Sequence, residues 1–319
     1  MCYSAQIRAD YRTFIRMFGA TMGIKAFAGL FLKRQEGAKM TIPKAMEAAF
    51  AHPTTPEEED IQGLINAYKK DEATRLQQEL FTQRARLVAA ERKLELKPTK
   101  AASEDARIAG NKGQNARKRL DDLGRTELKD SDSRIYPLSY APVMVVRDGQ
   151  RIVVPMRYQC RLPGMPPSTD RKYPGTYNAR RDNLGKFWRG QFGVTHGIMI
   201  VNVFYENVDR HRLEGRELQP GEEPENEVLE FNPQPRQDML VACLWAHWKG
   251  PDEPDLLSFA AITDDPPPEI AAAGHDRCII PIKPQHVDAW LSPDRNHLDK
   301  LYELLDDRER PYYEHRLAA

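Results

Sequence analysis

What is scarce in this chain narrows its chemistry first. Cysteine occurs only at Cys2, Cys160, Cys243 and Cys278, with no C-x-x-C pair. Neither a disulfide framework nor a zinc ribbon is expected, and no metal or organic cofactor is called for. Long apolar runs are missing as well. Nothing approaches the roughly 20 residues that span a bilayer, and the opening Met-Cys-Tyr-Ser-Ala-Gln lacks the charged-then-apolar layout of a secretory signal. The expectation is a cytoplasmic monomer without a membrane partner, nucleoid-associated if bacterial. Net charge is absent too: 47 basic residues balance 47 acidic ones. The overall field therefore carries no nucleic-acid signal, and any DNA binding has to come from a local basic patch.

What is present supports a sizeable core, with 319 residues of which 40% are hydrophobic. From Asp10 to about Lys33, Tyr11, Phe14, Ile15, Phe18, Met22 and Phe27 recur at roughly helical spacing. A firmer start signal follows at Thr55, where Pro56 takes the first helical position and Glu58 completes a T-x-x-E capping box. Leu76, Leu80, Leu87 and Leu94 then mark a thin stripe at near-heptad spacing until Pro98 interrupts it. Between Lys97 and Asp132 the chain is polar, with Lys112, Arg117, Lys118 and Arg119 close together and Gly110 and Gly113 loosening the backbone, so its order is left open. Residues 55–132 read as a charged helical insertion in a single domain.

After Arg134 the character changes to short β-rich runs. Pro142–Val146 and Arg151–Pro155 flank Asp148-Gly149, a dipeptide that tolerates the positive φ of a tight hairpin turn. Further strands are expected at Ile198–Tyr205, Leu240–Trp245, Leu257–Thr263 and Cys278–Ile282, one or two helices over Pro284–Leu305, and a helical tail over 296–319. The expected fold is α+β, with an antiparallel, barrel-like β core over 134–295, peripheral helices and the charged helical insertion.

Chemistry enters at the second residue. Removing Met1 leaves Cys2 with a free α-amine beside its thiol, a 1,2-aminothiol. The amine ionises at about 7.7–8.0 and the thiol at about 8.5, so both are partly available as nucleophiles at neutral pH. Such a pair suits an aldehyde: the amine condenses to an imine and the tethered thiol closes a thiazolidine ring.

Four short motifs follow one order: Met1-Cys2, Tyr177-Asn178-Ala179-Arg180, the apolar run from Gly197 to Tyr205 ending at Glu206, and Gly274-His275-Asp276-Arg277. With Ser139-Tyr140-Ala141-Pro142, they resemble the SRAP family, the SOS-response-associated peptidase domain proteins that crosslink to abasic DNA. The resemblance covers residues 1 to about 30 and 134–295. It implies Cys2 as nucleophile, Asn178 as a polar group near the reacting sugar, and Glu206 and His275 as proton handlers. Partial burial at its strand end would raise the Glu206 carboxyl toward neutrality, and a histidine already titrates near that range.

The implied partner is single-stranded DNA carrying abasic sites, and the expected DNA contacts are Arg180, Arg181, Arg161, Lys186 and Arg8. Arg171, Lys172, Lys186 and Arg189, with Tyr173, Tyr177, Phe187 and Trp188 interleaved, supply phosphate contacts and stacking surfaces. The chain departs from the family pattern in four places. Tyr3 and Ser4 stand where Gly-Arg is common, and Arg8 is the expected replacement for that arginine. Arg157–Pro163 is one residue longer than its counterpart, Asn207 replaces a tryptophan, and Cys278 a methionine. Two other functions stay open: a cysteine-type autopeptidase cutting before Cys2, and a non-catalytic interaction protein acting through the insertion.

Overall fold

A computed structural model describes residues 3–251 and 253–318 of the chain, so Cys2 lies outside the described residues. In chain order the first elements are β1 (Ser4–Ile7), α1 (Tyr11–Phe18), β2 (Thr21–Met22), α2 (Ile24–Gln35), α3 (Lys44–Ala48), α4 (Pro56–Leu96) and α5 (Lys100–Gly124). Then come β3 (Arg134–Ile135), β4 (Tyr140–Arg147), β5 (Gln150–Tyr158), α6 (Thr169–Lys172), β6 (Asn178–Arg180), β7 (His196–Asp209), α7 (Arg210–Leu213) and β8 (Asn226–Gln234). The last are β9 (Met239–Trp248), β10 (Leu256–Asp264), α8 (Pro268–Ala272), β11 (Cys278–Ile279), α9 (Val287–Leu291), α10 (Leu298–Asp306) and β12 (Tyr312–Leu317). Two compact units result. One takes the chain through Leu30, Lys39–His52 and everything from Lys129 onward; the other takes Phe31–Ala38 and Pro53–Leu128. Among the described residues no helix is long and apolar enough to cross a membrane.

The second unit is a helical hairpin. Thr55 caps α4, its hydroxyl accepting from the Glu58 N–H at 3.3 Å. The Glu58 carboxylate reaches one residue further back than a capping box requires and accepts from the Thr54 N–H at 2.7 Å. The seam is narrower than the expected leucine stripe. Leu76, Gln83 and Ala90 are buried on α4 and Ala102, Ala109 and Ala116 on α5, each set at heptad spacing. Leu80, Leu87 and Leu94 are only half-buried. Small residues let the backbones approach, and Arg86–Asp105 and Arg119–Glu72 ion pairs join the helices. The polar stretch whose order the composition left open is therefore helical through Gly124. Its apolar signal consists of alanines, and Thr99 caps it by accepting from the Ala102 N–H at 3.2 Å.

The first unit holds one twelve-stranded sheet. Its best-read feature is the β4–β5 hairpin, where Arg147 pairs with Gln150 around Asp148 (φ 51°) and Gly149 (φ 74°). The sheet is mixed, which corrects the antiparallel expectation. β10 runs parallel to both β5 and β6, and β2 runs parallel to β5. Alternation along a strand says nothing about the direction of a partner distant in sequence. The helical tail is corrected as well. It is helical only over Leu298–Asp306, and beyond Pro311 the chain pairs as β12 with β8, burying Tyr313. In the core, Phe204 stacks on Phe231 and meets Tyr313 edge-on, both at 5.2 Å between ring centres. His196 belongs to this interior. Its Nε2 accepts from the Gly193 N–H at 2.8 Å and its Nδ1 donates to the Trp290 carbonyl at 2.9 Å. A neutral ring satisfies both bonds, and burial pushes its pKa down to about 3.

Candidate active site

Two clusters of polar side chains form where the sheet's irregular strands meet its long ones. The first is centred on β7. Glu206 lies near the end of that strand and is fully buried. Its Oε2 stands 3.3 Å from Nε2 of His275, which is 7% exposed. A glycine delivers the histidine. Gly274 turns at φ 88°, and a Cβ there would meet Arg212 Cβ at 2.9 Å and Val208 Cγ1 at 3.0 Å, so the loop presses against the end of β7 as only glycine allows.

The His275 Nδ1 lies 3.0 Å from the Arg277 carbonyl oxygen and 3.3 Å from the Arg277 N–H. With Nδ1 donating to the carbonyl, Nε2 is an acceptor toward Glu206. With Nδ1 accepting from the N–H, Nε2 donates to Glu206. Either way the ring shares a proton with a carboxyl group out of water. Burial pulls the His275 pKa down to about 4, so the imidazole is neutral at neutral pH.

The second cluster sits on β6 and β10. These strands run parallel with Asn178 opposite Ala261 and Arg180 opposite Thr263. Residues two apart share a face, so Asn178, Arg180 and Thr263 line one side of the pair. The Asn178 side chain is buried, and neither its amide oxygen nor its nitrogen has a hydrogen-bond partner among the described residues. The Thr263 hydroxyl is in the same condition. Buried amides and hydroxyls are seldom left so, and two together form a cradle for a polar ligand. Thr263, Arg180, Arg181 and Arg277 line a cavity of about 220 Å³ with Asp182, Asp264 and Asp265. Arg277 connects the clusters through its backbone bond to His275. Thr263 escaped the sequence reading because a threonine at a strand end is unremarkable; only its lack of a partner singles it out.

The expected DNA contacts divide. Arg180 is 43% exposed on its side chain and held by both Asp182 oxygens at 3.0 Å. Arg181 reaches Asp306 at 2.6 Å and rests over Tyr302. Lys186 is exposed, as are Arg171, Lys172, Tyr173, Phe187 and Arg189, whereas Tyr177 and Trp188 are buried. Arg161 is not a surface residue. It is buried between Asp170 at 2.5 Å and Glu253 at 2.8 Å with Trp248 beneath it, so its Nε, Nη1 and Nη2 donors serve the fold. Arg8 pairs with Asp238 at 2.7 Å and lines a different polar cavity with Arg236 and Arg316.

The remaining element is β1, which runs antiparallel to β7 with Ser4 opposite Tyr205, the residue before Glu206. Cys160, Cys243 and Cys278 are buried free thiols. Burial pushes the first up to about 12 and raises the other two as well, so none is a ready nucleophile at neutral pH. Among the described residues, no group of three or more His, Cys, Asp or Glu side chains could hold a metal ion.

Comparison with known proteins adds a family. A family model described as SOS response associated peptidase (SRAP) matches residues 99–317, more than half of the chain; the span takes in Asn178, Glu206 and His275 and does not reach Cys2. Among solved structures, the chain is similar to a Bordetella bronchiseptica protein at 16% identity and a TM-score of 0.45, covering 61% of this chain and 90% of that one. A Bacteroides thetaiotaomicron protein matches at 13% identity and a TM-score of 0.43, over 59% of this chain and 78% of that one. A phage-related protein of B. bronchiseptica matches at 16% identity and a TM-score of 0.42, over 58% and 81%. No curated protein matches.

Proposed function

The chain belongs to the SRAP family, membership of which supports a DNA-damage-associated function, and from that premise we propose that it is a covalent sensor of abasic sites in single-stranded DNA, acting through Cys2. With Met1 removed, the Cys2 α-amine adds to the aldehyde carbon of the ring-opened sugar. The resulting carbinolamine loses its hydroxyl as water and becomes an imine. The thiolate adds to the imine carbon, the thiol proton passes to the nitrogen, and a thiazolidine closes. One C–N and one C–S bond form for each water released.

The Glu206–His275 pair carries the protons: a neutral imidazole takes one from the attacking amine, and the pair returns one to the departing hydroxyl. Asn178 and Thr263 hold the sugar hydroxyls, and Arg180, Arg181 and Lys186 take the flanking phosphates, the arginines exchanging their aspartate partners for phosphate. The observation that carries this reading is the buried Glu206–His275 contact at 3.3 Å, on the strand that pairs with β1, two residues from Cys2.

The test is a single-stranded oligonucleotide with one abasic site, scored for a shifted band that survives denaturation. Wild type is expected to give the band, and unmodified DNA none. Cys2→Ala is expected to abolish it; full crosslinking by that variant would overturn the reading. Glu206→Gln is expected to slow crosslinking by about 10²-fold at saturating DNA while leaving affinity for unmodified DNA intact. The family's printed description also names a peptidase, and the same groups could cut before Cys2. That second reading predicts N-terminal heterogeneity by mass spectrometry that depends on Glu206 or His275.

A further inference from the structure

Where β1, β3 and β7 run side by side, the sheet presents an arginine among aromatic rings. β3 pairs with β1 so that Arg134 lies opposite Gln6. The Arg134 guanidinium sits 3.6 Å from the Tyr205 ring centre and 5.1 Å from that of Tyr136. Its Nε donates to the Ser4 hydroxyl at 3.0 Å, and Ser4 is fully buried. No hydrogen bond or ion pair to either Arg134 Nη atom is made among the described residues, which leaves the two outer donors of the fork for another partner.

Two of the acidic groups nearby are engaged elsewhere, Asp132 and Glu230. Asp132 accepts from the Lys129 N–H at 2.7 Å. Asp130 lines the cavity that holds Arg8 and is close enough to add to the effect of burial in raising the Tyr205 phenol. Glu230, opposite Tyr205 on β8, is paired with Arg316 at 2.7 Å and accepts from Asn232 at 2.9 Å. Beside the arginine, Tyr136 and Tyr3 meet edge to face with ring centres 5.7 Å apart, and each keeps more than a third of its surface exposed. Two wet aromatic rings next to a guanidinium with open outer donors are what a single strand of nucleic acid needs, a face for a base and a fork for the adjoining phosphate.

We infer that Tyr3, Tyr136 and Arg134 form a stacking subsite for single-stranded DNA, in which the tyrosines hold a nucleobase and Arg134 binds the phosphate next to it. Tyr3 adjoins Cys2 in sequence, so the subsite receives the nucleotide beside the one that reacts. The inference deepens the abasic-site reading and rests on it for that placement. It also moves the cationic role expected of Arg8 to Arg134, which is distant from Cys2 in sequence and reaches Ser4 only through the pairing of β3 with β1.

The test is fluorescence anisotropy with a single-stranded oligonucleotide carrying a reduced, non-crosslinkable abasic site, over a salt series, using the full chain. Tyr136→Leu is expected to weaken binding about tenfold, within the range for loss of one base stack, whereas Tyr136→Phe keeps wild-type affinity. Arg134→Gln is expected to flatten the slope of log affinity against log salt by about 0.7, the contribution of one phosphate on a single strand. The far-ultraviolet ellipticity and urea-unfolding midpoint of Tyr136→Leu are expected to match wild type, which shows that it is folded. Equal affinity of Tyr136→Leu, Tyr136→Phe and wild type, with an unchanged Arg134→Gln slope, would overturn the subsite. If wild type fails to crosslink abasic DNA while the Tyr136 and Arg134 effects on affinity hold, the chemistry falls and the binding subsite stands.

Discussion

The helical unit and the sheet unit of this chain obtain their stability from different kinds of contact. Between Pro53 and Leu128 there is no histidine, cysteine or tryptophan, the seam is largely alanine, and the helices are joined by exposed or half-exposed ion pairs. The sheet unit packs aromatic rings and fully buries Glu206. The lesson concerns where chemistry can be housed. A narrow two-helix seam has no interior in which a carboxyl and an imidazole can share a proton away from water. A sheet covered on both faces has one, and the cost of burying the polar pair is offset by the apolar area around it.

That contrast can be broken most directly by cutting into the sheet core. Phe204→Ala removes a ring packed on Phe231 and Tyr313. The expected loss is about 3–5 kcal/mol, read by urea unfolding. Trp188, Trp245, Trp248 and Trp290 all lie in the sheet unit, so tryptophan fluorescence follows that unit, while ellipticity at the helical minimum is weighted toward the hairpin. A loss below about 1 kcal/mol would show that the aromatic cluster is not what holds the sheet together.

Acid should separate the units next. Burial holds His196 at about 3 and His275 at about 4, against about 6.5 in an unfolded chain. Above 6.5 both histidines are neutral in either state, and their contribution is intact. As pH falls below 6.5 the unfolded chain binds protons that the folded chain excludes, and stability is lost progressively toward pH 4 and then 3. By pH 4.5 the two histidines together are expected to weaken the fluorescence-detected transition by on the order of 5 kcal/mol. The hairpin's shifted carboxylates, Glu72 and Glu104, are held below their ordinary 4.5 by hydrogen bonds from Arg75 and Arg107. Its own acid loss therefore begins only below about 4.5. Equal weakening of both signals between pH 7 and 4.5 would contradict this assignment.

The smallest effect is expected from Leu76→Ala in the hairpin seam, about 2 kcal/mol in the ellipticity-detected transition, with crosslinking yield unchanged. A loss of crosslinking that matches the loss of helix would mean that the hairpin takes part in the reaction and that the two units do not divide structure from chemistry.

Features governed by a few consecutive residues were legible in the sequence. Asp148-Gly149 makes the tight turn and Thr55 caps the long helix. Features that depend on partners far along the chain were not. The alanine heptads of α5 looked like polar filler because burying a methyl group leaves almost no apolar signature. β12 was hidden behind Pro311, and Arg161 carried the composition of a DNA contact while lying between Asp170 and Glu253.

By itself, then, the sequence determined which side chains exist and how the backbone bends locally, since turn and cap propensities act over three or four residues. Only the tertiary structure decided which charges meet a partner, which strands run parallel, that Glu206 and His275 share a dry contact, and that Arg134 stands at Ser4. Each of those depends on which surfaces water is excluded from, and that is settled only when segments far apart along the chain are packed together.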